Sequence, residues 1–93
     1  MQKLKIAVIG CGYWGKNLVR NFYEIGVLKY VCDSDTNRAK EIARMYHIQN
    51  KSFQDILKTD VDGIVIAAPA KQHNRLVKSS LEAGKHVFVE KPI

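Results

Sequence analysis

The chain has 93 residues, 46% of them hydrophobic and 26% charged, with a formal net charge of +6. A polypeptide of this size forms one small domain that buries about 60% of its unfolded surface, and its composition is that of an ordinary globular protein. No apolar run approaches the roughly 20 residues that span a bilayer, and Met1-Gln2-Lys3 leads directly into the first apolar segment. A cytoplasmic protein with no leader and no membrane partner is expected.

The lysines are scattered from Lys3 through Lys91, and no helix-turn-helix, zinc-finger or RNA-binding signature accompanies them. Nucleic acid is therefore not an expected partner. The basic surface is read as solvated, with some attraction for anionic ligands. Two cysteines, Cys11 and Cys32, make no disulfide framework, and His47, His73 and His86 lack metal-ligand spacing, so no metal site is expected. Both thiols fall at one sheet edge, as buried free cysteines or, in the alternative, as a redox pair.

In chain order, the apolar run Lys5-Ile6-Ala7-Val8-Ile9 ends in Gly10-Cys11-Gly12-Tyr13-Trp14-Gly15, a Gly-x-Gly-x-x-Gly loop between a strand and a helical pattern. In that context the three glycines serve different ends. Gly10 makes the tight turn, Gly12 lets a pyrophosphate approach the backbone, and Gly15 lets the helix pack close to the strand. Residues 27–32 read as a second strand. Asp33 follows it, 18 positions (33 − 15) beyond Gly15, close to the roughly 20 at which an acidic residue accepts from the adenosine ribose. The other reading of Asp33 is a cap for the next turn. A carboxylate here repels a 2′-phosphate and favours NAD, while Arg38 keeps NADP open by its ability to pair with that phosphate or stack on adenine.

Residues 37–46 form a helix with Ala39, Ile42, Ala43 and Tyr46 on one face. A short strand at 48–51, a short helix at 53–57 and an apolar strand at 63–68 follow. The last elements are a helix at 72–83 and a strand at 86–89. The 72–83 helix carries Leu76, Val77, Ser80 and Leu81 inward and Gly84 as its stop. Such alternation predicts an α/β, Rossmann-type, doubly wound parallel sheet in three layers, with ligand at the carboxyl ends of the strands. Glu90-Lys91-Pro92 comes at that end of the last strand. Lys91 there is able to donate a proton or hydrogen bond to a substrate oxygen during hydride transfer. Without further context, a surface ion pair of Glu90 with Lys91 solvated is the simpler reading.

Taken together, the Gly10–Gly15 loop, Asp33 with Arg38, Ala67-Ala68-Pro69 with His73, Ala83-Gly84-Lys85-His86-Val87 and Glu90-Lys91-Pro92 resemble the N-terminal domain of the Gfo/Idh/MocA oxidoreductases, from Lys5 to Pro92. The resemblance implies that Lys91 is the active-site lysine and that Glu90 contacts the nicotinamide ribose. It implies that Ala68 and Pro69 line the nicotinamide half, with His73 close by. Tyr13 and Trp14 belong to the cofactor loop; Trp14 either walls the site or packs beside it. Many members have Thr where this chain has Ala68, so one hydroxyl contact is lost, with modest effect. Members continue past Glu-Lys-Pro-Ile into a second domain that supplies substrate contacts and a catalytic histidine. Residues 1–93 are thus expected to be the cofactor domain of a longer NAD(P)-dependent enzyme acting on a sugar, sugar acid, nucleotide sugar or polyol, inactive alone. A stand-alone nucleotide-binding or redox-sensing module and a CoA-binding Rossmann relative are the alternatives. Self-association through an unpaired last strand is also expected.

Overall fold

The computed structural model describes residues 4–12, 15–68 and 70–89. Among these residues five strands form one parallel sheet in the order β3-β2-β1-β4-β5. They are β1 (Ile6–Ile9), β2 (Leu28–Cys32), β3 (Gln49–Asn50), β4 (Gly63–Ile66) and β5 (His86–Val89). The helices are α1 (Gly15–Glu24), α2 (Thr36–Tyr46), α3 (Phe53–Leu57) and α4 (His73–Glu82), the last preceded by a 3₁₀ turn at Ala70–Gln72. The β1-β2-β3 half winds outward from β1 in one direction and β4-β5 in the other, which leaves a crevice between β1 and β4 at the carboxyl edge.

Apolar runs without alternation make the two central strands. Every residue of β1 and β4 is buried, as a parallel strand covered on both faces requires. On one face Ile6, Val8, Val31 and Val65 meet Val19 of α1 and Ala43 of α2. On the other, Ala7, Ile9, Ile64 and Ile66 meet Phe53 and Ile56 of α3 and Leu76 of α4. The result is the three-layer α/β/α arrangement expected from the sequence.

Local signals set the helix ends. Asp35 caps α2 by accepting from the Arg38 amide, and Ser52 caps α3 by accepting from the Asp55 amide. In α4, Leu76 and Ser80 are buried, with the Ser80 hydroxyl donating to the Leu76 carbonyl at 2.7 Å. Leu81 departs from expectation. It is 58% exposed rather than inward, because α4 rests on β4 and β5, where the sheet ends and the face available for burial is narrow. Among the described residues β5 is an edge strand paired only to β4, with Phe88 and Val89 exposed. Among the described residues no helix is long and apolar enough to cross a membrane.

Candidate cofactor site at the carboxyl edge of the sheet

The strand register gathers the candidate residues. Ile9 pairs with Cys32 on one side and Ile66 on the other, and Ile66 pairs with Val89. The residues that follow β1, β2 and β4 therefore emerge along a single edge, at which β5 also ends.

Gly10 turns the chain out of β1 with φ +94°, its amide donating to the Cys32 carbonyl at 2.7 Å. A Cβ at Gly10 would lie 2.9 Å from backbone atoms of Ala67 and Ala68, so the glycine loop rests on the chain leaving β4. A Cβ at Gly15 would fall 1.8 Å from the Gly10 carbonyl oxygen, which no side chain tolerates. Gly12 is different. Among the described residues its Cβ would meet only the far end of a flexible side chain, Arg38 Nη1 at 3.3 Å. The fold itself demands Gly10 and Gly15, whereas no backbone atom among the described residues opposes a Cβ at Gly12. The Lys16 amide donates to the Gly12 carbonyl at 2.9 Å, which sets Gly12 at the N-terminal end of α1, where the helix dipole favours an anion.

Asp33 does more than either sequence reading foresaw. Its Oδ2 accepts from the Cys11 amide at 2.6 Å and its Oδ1 from the Asp35 amide at 2.8 Å. One carboxylate thus buckles the glycine loop to the turn before α2, while Asp35 is the cap. The signal for this was the parallel neighbourhood of β1 and β2, which sets the residue after Cys32 beside the residue after Gly10. A carboxylate has about four acceptor positions, so capacity for ribose hydroxyls remains. The Asp33 side chain is only 6% exposed, because Arg38 lies over it with Nη1 at 3.5 Å from Oδ2. Arg38 is held between Gly12 and Asp33, across the place an adenosine ribose would take.

Cys11 and Cys32 share this edge but point apart. Cys11 packs in the α1/α2 core and Cys32 against the α3/α4 core. Burial, with the Asp33 charge second, pushes the Cys11 thiol up to about 12, and the same two causes raise Cys32. Both are protonated and poorly nucleophilic at neutral pH. His73, the first residue of α4, places Nε2 2.6 Å from the Ala68 carbonyl oxygen. Tyr13, Trp14, Pro69, Glu90 and Lys91 lie outside the described residues.

A parallel sheet wound in two directions, with a glycine cradle and a carboxylate at its carboxyl edge, defines a dinucleotide-binding Rossmann domain. Residues 4–93 match the family model described as the oxidoreductase family GFO_IDH_MocA, NAD-binding Rossmann fold, and the chain belongs to that family. It is 38% identical over 98 residues to an inositol 2-dehydrogenase of Rhodococcus erythropolis, covering 99% of this chain and 28% of that protein. It is 34% identical over 92 residues to a 2,7-anhydro-N-acetylneuraminate hydratase of Escherichia coli, covering 97% and 25%. Among solved structures, scyllo-inositol dehydrogenase from Lactobacillus casei with bound NAD(H) and scyllo-inositol superposes with TM-score 0.87 at 27% identity, covering 98% of this chain and 28% of that one. The chain thus spans less than a third of the length of these proteins.

Proposed function

We propose that residues 1–93 form the NAD-binding domain of a longer, cytoplasmic oxidoreductase that acts on a polyol, sugar, sugar acid or nucleotide sugar, and that this chain alone binds cofactor without turnover. The observation carrying the reading is the convergence of Gly10, Gly12, Asp33 and the Ala67–Ala68 backbone on one edge. Relatives named for inositol substrates support the substrate class. The share of those relatives that the chain spans supports a second domain bearing the substrate contacts and a catalytic histidine.

NAD, when bound, supplies the hydride acceptor at nicotinamide C4. The protein's own contributions are distributed along the edge. Gly12 admits the pyrophosphate to the backbone, flanked by Tyr13 and Trp14. Asp33 accepts from the adenosine ribose hydroxyls once Arg38 swings outward, and its charge selects NAD over NADP. Ala68 and Pro69 border the nicotinamide half, Glu90 holds its ribose, and Lys91 donates a proton or hydrogen bond to the substrate oxygen. The exposed β5 edge, with Phe88 and Val89, favours self-association when nothing covers it.

One observation favours a second reading. A relative is named a hydratase, and adding or removing water changes no net oxidation state, so a cofactor serving such a reaction is not consumed. The discriminating experiment follows NADH and NADPH binding by fluorescence, then incubates the chain with NAD⁺ and myo-inositol or a UDP-sugar. Saturable NADH binding tighter than NADPH, without NADH production, is expected. Tighter NADPH binding would overturn the selectivity, and steady NADH production would overturn the need for a second domain.

A further inference from the structure

The imidazole of His73 sits 2.6 Å from the carbonyl of Ala68, itself 8% exposed, and a carbonyl only accepts, so Nε2 carries the proton. Ala67 and Ala68 are the backbone on which Gly10 rests, with no room for a Cβ between them. The Ala67 amide donates to the Ile9 carbonyl at 2.8 Å, closing the β1 and β4 ends together. On the other side, α4 begins at His73 without a side-chain cap from Gln72. The His73 side chain thus ties the start of α4 to the backbone supporting the glycine loop.

We propose that His73 is a positioning residue: through the Ala68 carbonyl it braces the glycine loop, and so acts on the pyrophosphate and adenosine half of the cleft rather than by touching the nicotinamide. The inference rests on the chain binding a dinucleotide. A buried carbonyl that loses its donor forfeits a hydrogen bond and stays desolvated. The chain leaving β4 then shifts to reach water, and Gly10, packed on it, shifts with it.

The test compares NAD⁺ with ADP-ribose, which lacks the nicotinamide, on the wild-type chain, His73→Ala and His73→Gln. His73→Ala is expected to weaken both ligands equally, by roughly three- to tenfold. His73→Gln, whose amide restores an N–H donor, is expected to recover part of that loss. If His73→Ala weakens NAD⁺ but leaves ADP-ribose unchanged, His73 is a nicotinamide contact and the proposal is wrong. Equal affinity of wild type and His73→Ala for both ligands also overturns it. A wild-type chain that is folded yet binds neither ligand refutes the underlying cofactor reading instead. Should the variants unfold, the imidazole ¹⁵N shifts of the wild type decide. A ring with a proton on Nε2 is expected, and one protonated at Nδ1 alone would contradict the bond.

Discussion

Gly12 and Gly15, to which the fingerprint gives different roles, differ as sharply in the room each leaves for a Cβ. Gly15→Ala forces a Cβ into the Gly10 carbonyl and is expected to cost about 3 kcal/mol or more, lowering the melting temperature by roughly 12 °C in a domain of this size. Thermal unfolding followed by circular dichroism checks this. Cys11 gives a pH signature of known sign. Its folded-state value of about 12 lies above the ordinary 9.0, so the folded protein holds this proton more tightly. The stability so contributed is complete below pH 9 and is lost as pH rises toward 12. Replacing the thiol in Cys11→Ala is expected to flatten the fall in melting temperature above pH 9. An unchanged slope would show that the thiol does not titrate in this window. The position of Asp33 at the end of β2, beside the glycine loop, was legible from its spacing. Its bond to the Cys11 amide was not, because that follows from strand adjacency rather than chain order.

At the scale of elements, the strands and helices were readable where periodicity and caps agreed. β1 and β4 are continuous apolar runs, and α2 carries Ala39, Ile42, Ala43 and Tyr46 on one stripe behind the Asp35 cap. α4 shows where that reading ends. Its spacing put Leu81 with Leu76 and Ser80, but periodicity reports a helical face and not the width of the surface beneath it. Leu81→Lys is therefore expected to change stability by no more than about 0.5 kcal/mol, whereas Leu76→Ala costs about 2–5 kcal/mol; urea denaturation of both variants makes the comparison. The free edge of β5 carries the related expectation that Phe88→Lys reduces self-association without loss of fold. Sedimentation velocity on the two proteins measures it, and an unchanged distribution with the wild type associated would place the contact elsewhere.

Over the whole molecule, the carboxyl edge gathers residues that the chain holds far apart. Gly10, Asp33 and Ala68 become neighbours only through parallel pairing around β1. The doubly wound sheet was legible because strands and helices alternate with turn signals between them. The position of Arg38 across Gly12 and Asp33 was not legible, since it depends on a side-chain path that spacing does not encode. The opposed directions of Cys11 and Cys32, which separate the two thiols by the sheet itself, were hidden for the same reason.

Calorimetric titration of NAD⁺ into the wild-type chain and into Gly12→Val tests the cofactor cradle most directly. Among the described residues only the movable end of Arg38 opposes a Cβ at Gly12, so the variant is expected to melt close to the wild type while its NAD⁺ binding is abolished. Gly12→Val that remains folded and binds NAD⁺ as tightly as the wild type would contradict the placement of the pyrophosphate at this loop.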